Sequence, residues 1–503
     1  MADESQVCSF YEGKKILITG ATGFMGKVLV WKLLHSCHKL DTIYVLIRSK
    51  YGKSPMSRKS GFFGSLIFND FKKNNPEILA KVVLVSGDVG EEGLGLSDKD
   101  RKLLIDDVSV VFHSAAILKM NLDLRTAVTI NTIGTIRMLD LARQMKKLQA
   151  FVHVSTAFCC CENSAIEEKI YPSKHNAYDI IKLVQWMDPE ILEKITPKLI
   201  HPSPNTYIYS KRLSESVLQN YASEVPIIVA RPSIVIGSFK EPLEGWCDTF
   251  NGPVGFFVAG ARGVIRTTLM NMRSKTDVIP ADMAINSIVI LPWANQREEL
   301  LNQISVYNIT QNSYEDLTWL GMKKYLTCSF LKYPFDTILW YPNLGYTEDS
   351  VVVYKIKDIF LHYLPAYVID FALKLAGQKP FLINIHDRIH QAENLLTYFT
   401  RKQWIFVHDK VLQLEQILND TDRKLFPVNM KDISDFQSYM DDILVSCKTR
   451  IFKEDMKMIG KAKRTLKIMY AVDKIVLVLK YYLLWKILMA IFNVIMVIFN
   501  HTN

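Results

Sequence analysis

The chain has 503 residues, 49% hydrophobic and 22% charged, which excludes a single small core, a fibrous repeat and a disordered polymer. The net charge is +10, but from Lys448 to Lys486 eleven Lys or Arg stand against three Asp or Glu, so most of the excess is local to the C-terminal end. A nucleic-acid binder would carry its basic footprint on a folded face, so that class is set aside.

Eight cysteines occur, with Cys159, Cys160 and Cys161 consecutive and no C-x-x-C pair of zinc spacing. They read as reduced thiols, the triplet packed at a strand end. The N-terminal "MADESQVCSFYEGKK" lacks an apolar core of signal-peptide length, so the body is expected to face the cytosol or a matrix reached from it.

Apolar β-rich runs then recur: "KILIT", "TIYVLI", "KVVLVSGD", "SVVFH", "AFVHVS" and "PIIVARP". Helical patterns fill several gaps, notably around Lys27–Leu34 and Leu124–Met145. Strands alternating with amphipathic helices indicate βαβ units, and strands this continuously apolar fit a parallel sheet buried on both faces. The fold class is therefore α/β, a Rossmann-type parallel sheet with helices on both faces.

After about Asn343, "YPNLGYTEDS" reads as a linker. "VYKIKDIFLHYLPAYVIDFALKLAG" and "RIHQAENLLTYFTRKQWIF" beyond it read as helices of a smaller, mainly α domain. The expected division is 13–345, 350–450 and 451–503. In the last part, "IVLVLKYYLLWKILMAIFNVIMVIF" runs for 25 residues with only Lys480 and Lys486 charged. A bilayer crossing needs roughly 20 apolar residues. The preceding basic run favours a lipid bilayer as partner, by spanning or by monotopic insertion, over a buried helix.

The first chemical signal is "KILITGATGFMG". A strand leads through Gly20, Gly23 and Gly26 into a helix, the context in which a glycine pattern denotes a dinucleotide site. Gly20 permits the tight turn, Gly23 lets backbone approach a pyrophosphate, and Gly26 allows close helix–strand packing. The G-x-x-G-x-x-G spacing resembles the short-chain dehydrogenase/reductase superfamily. After the second strand stand Arg48 and Lys50, where an NAD site would place an acid. A cation suits a 2′-phosphate, so the expected cofactor is NADPH. Asp88 in "SGDVG" is expected near the adenine. Ser114, Ala115 and Ala116 are expected beside the dinucleotide, and Asn131 as a support of the site or a packed polar residue.

"PNTYIYSK" holds two tyrosines. Tyr207 and Lys211 are four apart and share a helix face, whereas Tyr209 points elsewhere. A neighbouring ammonium favours the phenolate, which eases proton transfer. Tyr207 is thus the candidate general acid toward a carbonyl that gains a hydride, with Lys211 also holding the nicotinamide ribose. "VHVSTAF" offers the hydroxyl that orients the carbonyl, Thr156 or, alternatively, Ser155. The long interval from Ser155 to Tyr207 reads as an inserted substrate-side element whose apolar residues (Ile180, Val184, Trp186, Ile191 and Leu192 among them) mostly pack. In "HDRIH", His386 and His390 at i, i+4 with Glu393 beyond look like part of a zinc helix, but the general-base glutamate is missing and no metal is expected.

Taken together, "TGATGFMGKVL", "VHVSTAF", "ITPKLI", "PNTYIYSK", "RPSIV", "EPLEGWCDTFNGP" and "GFFVAGARGVIRT" resemble the alcohol-forming fatty acyl-CoA reductases over nearly the whole chain. "STAF" stands for the family's frequent "STAY", and "FHSAAI" for "FHCAAT". The resemblance implies reduction of a long-chain acyl-CoA by two NADPH to the fatty alcohol through a retained aldehyde. It implies Tyr207, Lys211 and a fifth-strand hydroxyl as catalytic. It also implies a nucleotide site of Gly20, Gly23 and Gly26 that extends over Thr19, Thr22, Phe24, Met25, Val89 and Pro232. Peroxisomal or endoplasmic-reticulum membrane anchoring follows from it as well. The competing readings are a membrane-bound hydroxysteroid dehydrogenase, a reductase that stops at aldehyde, and a non-enzymatic acyl-binding scaffold.

Overall fold

Seven parallel strands carry the body: β1 (Lys15–Thr19), β2 (Thr42–Ile47), β3 (Val82–Ser86), β4 (Val110–His113), β5 (Ala150–Val154), β6 (Ile227–Pro232) and β7 (Ser305–Ile309). Their order across the sheet is β7-β6-β5-β4-β1-β2-β3. This computed structural model describes residues 4–48, 60–248, 253–295, 301–311, 317–342, 346–348 and 350–501. Lys50, one of the expected cofactor residues, lies outside them.

The alternation of side chains across each strand decides the layers. Ile16, Ile18, Ile43, Val45, Phe112 and Val152 enter one core with helix α1 (Phe24–Ser36) and the helix Ala281–Ala294. Leu17, Tyr44, Leu46, Val111 and Phe151 enter the opposite core with Met138, Leu139 and Leu218. Helices thus cover both faces, as the apolar strands require.

The chain reverses direction across the sheet between β1 and β4. In open α/β sheets the ligand crevice opens at the carboxyl ends of the strands flanking such a point. The six strands expected from apolar runs are all present. The seventh, "SVYNI", carries Asn308 in its middle. That amide is buried and donates to the carbonyls of Ile166 (3.0 Å) and Val407 (2.7 Å).

The expected helix over Leu124–Met145 forms in three pieces: Leu124–Ala127, a π-helical turn Val128–Ile133, and Gly134–Ala142. Part of the expected linker is a strand, Tyr346–Glu348, parallel to Thr267–Leu269. Tyr and Thr are strand formers, and an edge with unpaired backbone groups offers them partners. The C-terminal part is mainly helical. Val411, Leu414, Phe426, Met430, Tyr439 and Ile443 from it pack in the same core as the first face of the sheet. The last helix, Ile459–His501, is continuous over 43 residues. It includes the one helix, among the described residues, long and apolar enough to cross a membrane.

Candidate active site

Gly20 has φ +74°, a left-handed conformation, and a Cβ there would lie 2.7 Å from the backbone of Ser114 and Ala115. A Cβ on Gly26 would meet the Gly20 carbonyl at 2.3 Å. These two glycines let the β1 end, the β4 end and α1 close on one another. Gly23 caps α1 with no side-chain hydrogen bond. The first-turn N–H groups of Phe24, Met25 and Gly26 are left to an outside acceptor. Thr22 and Gly23 are exposed at the rim. This cradle, closed by glycines and headed by a helix N-terminus, fits a dinucleotide pyrophosphate.

Its flanks are held internally. Thr19 Oγ1 lies 2.8 Å from His113 Nδ1 and accepts from Ala115 N at 3.1 Å. Thr19 is fully buried, so its side chain ties β1 to β4 rather than reaching a ligand. Asp88 accepts from Gly90 N at 2.8 Å and shapes the turn after β3, while Val89 is buried in the core behind it. Arg48 is exposed just past β2. Ser114, Ala115 and Ala116 follow β4 half-buried, and Pro232 closes β6 buried.

Helix α2 (Thr206–Leu218) presents the tyrosine. Asn205 is extended, and its side-chain oxygen accepts from Ile208 N at 2.9 Å, which fixes where the helix starts. Tyr207 is therefore in the first turn. Burial dominates its phenol and holds its pKa well above the ordinary value, with Thr156, at the end of β5, beside it and lowering it only in part. Tyr209 turns away to His175, with its hydroxyl 2.9 Å from Nδ1.

Lys211 is buried and donates to the Val154 carbonyl at 2.7 Å, with Nζ 3.4 Å from His153 Nε2. Burial lowers its pKa to about 8. The ammonium does not draw the Tyr207 phenol down as the sequence led one to expect. It is aimed at the β5 carbonyl, and burial of the phenol outweighs other influences. A neutral phenol is the form that donates a proton.

The two fifth-strand hydroxyls part company. Thr156 lies beside Tyr207, and its Oγ1 accepts from Phe158 N at 3.3 Å. Ser155 lies on the side of Glu215 and makes no hydrogen bond of good geometry. Asn131 sits in the π-helical turn, a geometry found often at functional sites. Its Nδ2 donates to Ser210 Oγ at 2.9 Å and its Oδ1 accepts from Ile117 N at 2.9 Å. It thereby ties the loop after β4 to α2.

Three supporting residues escaped the sequence reading. His153 touches Lys211, and a polar ring inside the apolar run "AFVHV" was the available signal. Arg231 on β6 and Glu215 on α2 form a buried bidentate pair, Nε–Oε1 2.9 Å and NH2–Oε2 2.5 Å. Burial alone would push the Glu215 carboxyl up, but Arg231 beside it holds it below the usual range. Phe158, Ile234, Phe399, Trp404 and Phe406 line a cavity of about 330 Å³ with Asp277 and Gln311. Tyr207 packs against the same apolar cluster. Of the inserted element, Ile180, Val184 and Leu192 pack with Leu213 and Val217 of α2, whereas Trp186 and Ile191 are exposed.

The Male sterility protein family matches this chain over residues 18–288 through its NAD-binding part, and a second part, also described as Male sterility protein, matches 361–454. Fatty acyl-CoA reductase 1 of Rattus norvegicus is 36% identical over 96% of this chain and 93% of its own length. The chain belongs to the fatty acyl-CoA reductase family. Fatty acyl-CoA reductase 2 of Bos taurus, 32% identical over 97% of this chain and 94% of its own, is a more distant relative. Among solved structures, the terminal R domain of the myxalamid PKS-NRPS pathway superposes with TM-score 0.57 at 17% identity, covering 90% of this chain and 96% of that one. The reductase domain of a nonribosomal peptide synthetase from Mycobacterium tuberculosis gives 0.54 at 15%, covering 89% and 96%. Both share the fold of this family member.

With Lys211 in its expected catalytic role, activity would depend on pH. As pH rises through about 8 the ammonium is lost, so kcat/KM for reduction is expected to fall on that limb. Between about 8 and the ordinary 10.5 the folded chain binds fewer protons than the unfolded one. Stability of the wild type relative to Lys211→Met should therefore rise with pH across that window and be flat below it. Urea midpoints of the two proteins at pH 7 and pH 10 check this.

Proposed function

We propose that this protein reduces long-chain fatty acyl-CoA to the fatty alcohol with NADPH, in two successive reductions with release of CoA. The observation that carries the proposal is the packing of Tyr207, beside Thr156, against the aromatic cluster whose Phe158, Phe399 and Phe406 line a cavity, with a glycine cradle at strand ends of the same sheet. A bound nicotinamide dinucleotide would supply the hydride for each reduction.

Thr156 would orient the thioester carbonyl, and Tyr207 would give its proton to the carbonyl oxygen as charge develops there. The resulting thiohemiacetal hydroxyl would return that proton as the C–S bond breaks and CoA departs. The aldehyde left in the cavity would face the same phenol, which protonates its oxygen in the second reduction. Lys211, held by Val154 and His153, would bind the nicotinamide ribose. The apolar rings of Phe158, Phe399, Trp404 and Phe406 suit an acyl chain and exclude water from the aldehyde. Residues 475–499 would anchor the enzyme in a peroxisomal or endoplasmic-reticulum membrane.

Incubating purified full-length protein with palmitoyl-CoA and NADPH tests the reading. Two NADPH oxidised per CoA released, with hexadecanol as product, is the expected result. One NADPH per CoA with free aldehyde, or no turnover, overturns it. Arg48, exposed past β2, would take the 2′-phosphate. A charge-assisted hydrogen bond contributes about 1.5–3 kcal/mol, so Arg48→Ala should raise KM for NADPH by about 10- to 100-fold and leave KM for NADH unchanged.

A further inference from the structure

Residues Val351–Asp358, Ile359–Tyr363 and Leu364–Leu375 form one helical rod packed on the helix Leu382–Arg401. A helix on a water-soluble body turns its apolar stripe inward. This rod does the reverse. Its buried stripe is Tyr354, Asp358, His362, Ala366 and Asp370, four of them polar.

Each inward polar group is used. Tyr354 donates to Glu393 at 2.9 Å, and Asp358 lies 2.7 Å from His362 Nδ1. Asp370 accepts from the backbone N–H groups of Phe381, Leu382 and Ile383 at 2.9–3.0 Å. His386 and His390, the pair that looked like part of a zinc helix, join this network. The His386 ring stacks on His362, and His390 lies 3.6 Å from Asp358.

About 100–200° around the axis from those buried positions, the rod is apolar and bare. Val352, Ile356, Phe360, Val368, Phe371 and Leu375 are 66%, 52%, 59%, 61%, 64% and 74% exposed. The exposed charges on 351–380 are Lys355, Lys374 and Lys379, while both carboxylates there are buried. An apolar face rimmed by lysines and free of exposed carboxylates has the chemistry of an interfacial helix on an anionic bilayer.

The rod also adjoins the point where the last helix leaves the body. Trp340 Nε1 donates to Asp473 at 2.5 Å, and the Tyr341 and Tyr470 rings meet at 5.1 Å. Arg266 stacks on Trp340 at 4.1 Å, and its backbone N–H donates to His362 Nε2 at 2.8 Å. The apolar run that would enter the membrane begins at Ile475, two residues past Asp473.

We propose that the outer face of 351–375 is a second membrane contact, lying in the interface of the anionic leaflet that residues 475–499 enter. It rests on the membrane reading of the last helix. The partner helix Leu382–Arg401 carries Phe399 of the cavity beside Tyr207, so the contact brings that cavity to the bilayer surface.

The test is to insert full-length protein into phosphatidylcholine vesicles, with and without phosphatidylserine, that contain a phospholipid bearing a diazirine in its acyl chain. After irradiation, labelled peptides are mapped by mass spectrometry. Label is expected in both 475–499 and 351–375, the latter rising with phosphatidylserine. In Phe360→Ser/Val368→Ser/Phe371→Ser, whose side chains are exposed, the 351–375 label should fall about tenfold at an unchanged melting temperature while the 475–499 label stays. Label confined to 475–499 overturns this inference alone. Label in neither segment overturns the membrane reading with it. Cross-links between copies through 351–375 without lipid label would assign the face to a dimer and overturn the proposal.

Discussion

Tyr207→Phe is expected to lower kcat for acyl-CoA reduction by about 10²- to 10⁴-fold, the contribution of a positioned general acid. The substitution removes one oxygen from a side chain that packs in the apolar cluster with Phe158, Ile234 and Trp404. The ring still fills that space, so stability and KM for NADPH should be close to wild type. Thr156→Val should show the same kcat loss to a lesser degree, because it orients without giving up a proton. Fatty-alcohol production by Tyr207→Phe near the wild-type rate would remove the phenol from the mechanism. Tyr209→Phe is the internal control. Its hydroxyl reaches His175 rather than the cluster, so its rate should hold.

Arg231→Met is expected to destabilise the fold by about 3–5 kcal/mol, read as a lower urea midpoint. Arg231 is fully buried and Glu215 is 2% exposed. Removing the cation leaves a buried carboxylate without its bidentate partner. The same arginine also donates to the carbonyls of Glu167 (3.2 Å) and Lys169 (2.9 Å), which pins the start of the inserted element. Changing both partners, Arg231→Met with Glu215→Met, should recover a large part of the loss, because a buried ion pair is costly to break by halves and cheap to replace whole. If the single change proves neutral, the pair does not bear on the docking of α2 against β6. Activity should follow stability here, since neither group touches the cradle.

The two ends of the mechanism were unequally legible in the residues. Gly20, Gly23 and Gly26 announce their role by spacing, because a tight turn between a strand and a helix admits few other sequences. Tyr207 was separable from Tyr209 by helical periodicity alone. The direction of the Lys211 ammonium was not, because it depends on a carbonyl of β5 more than 50 positions earlier in the chain. Thr156 and Ser155 could not be told apart, since adjacent residues differ only in which face of the strand end they take. Strand β7 was hidden because Asn308 breaks its apolar run, and the NH2 of that amide finds its partners in two carbonyls distant in sequence. The rod 351–375 reads by periodicity as an ordinary amphipathic helix. Which side faces inward is a tertiary fact. The assumption that the greasy side does so fails here.

The last helix runs without a break from Ile459, where Ala462 and Leu466 are packed into the body, through the apolar run to His501. Were this helix to enter a bilayer, no loose tether would join it to the body. A stiff mast of this kind would suppress tumbling, so every copy on a vesicle should hold its nucleotide cleft at one height and one bearing. Lengthening the mast by one turn should lift the whole enzyme by about 5 Å, whereas splicing in a short glycine stretch would free its orientation altogether.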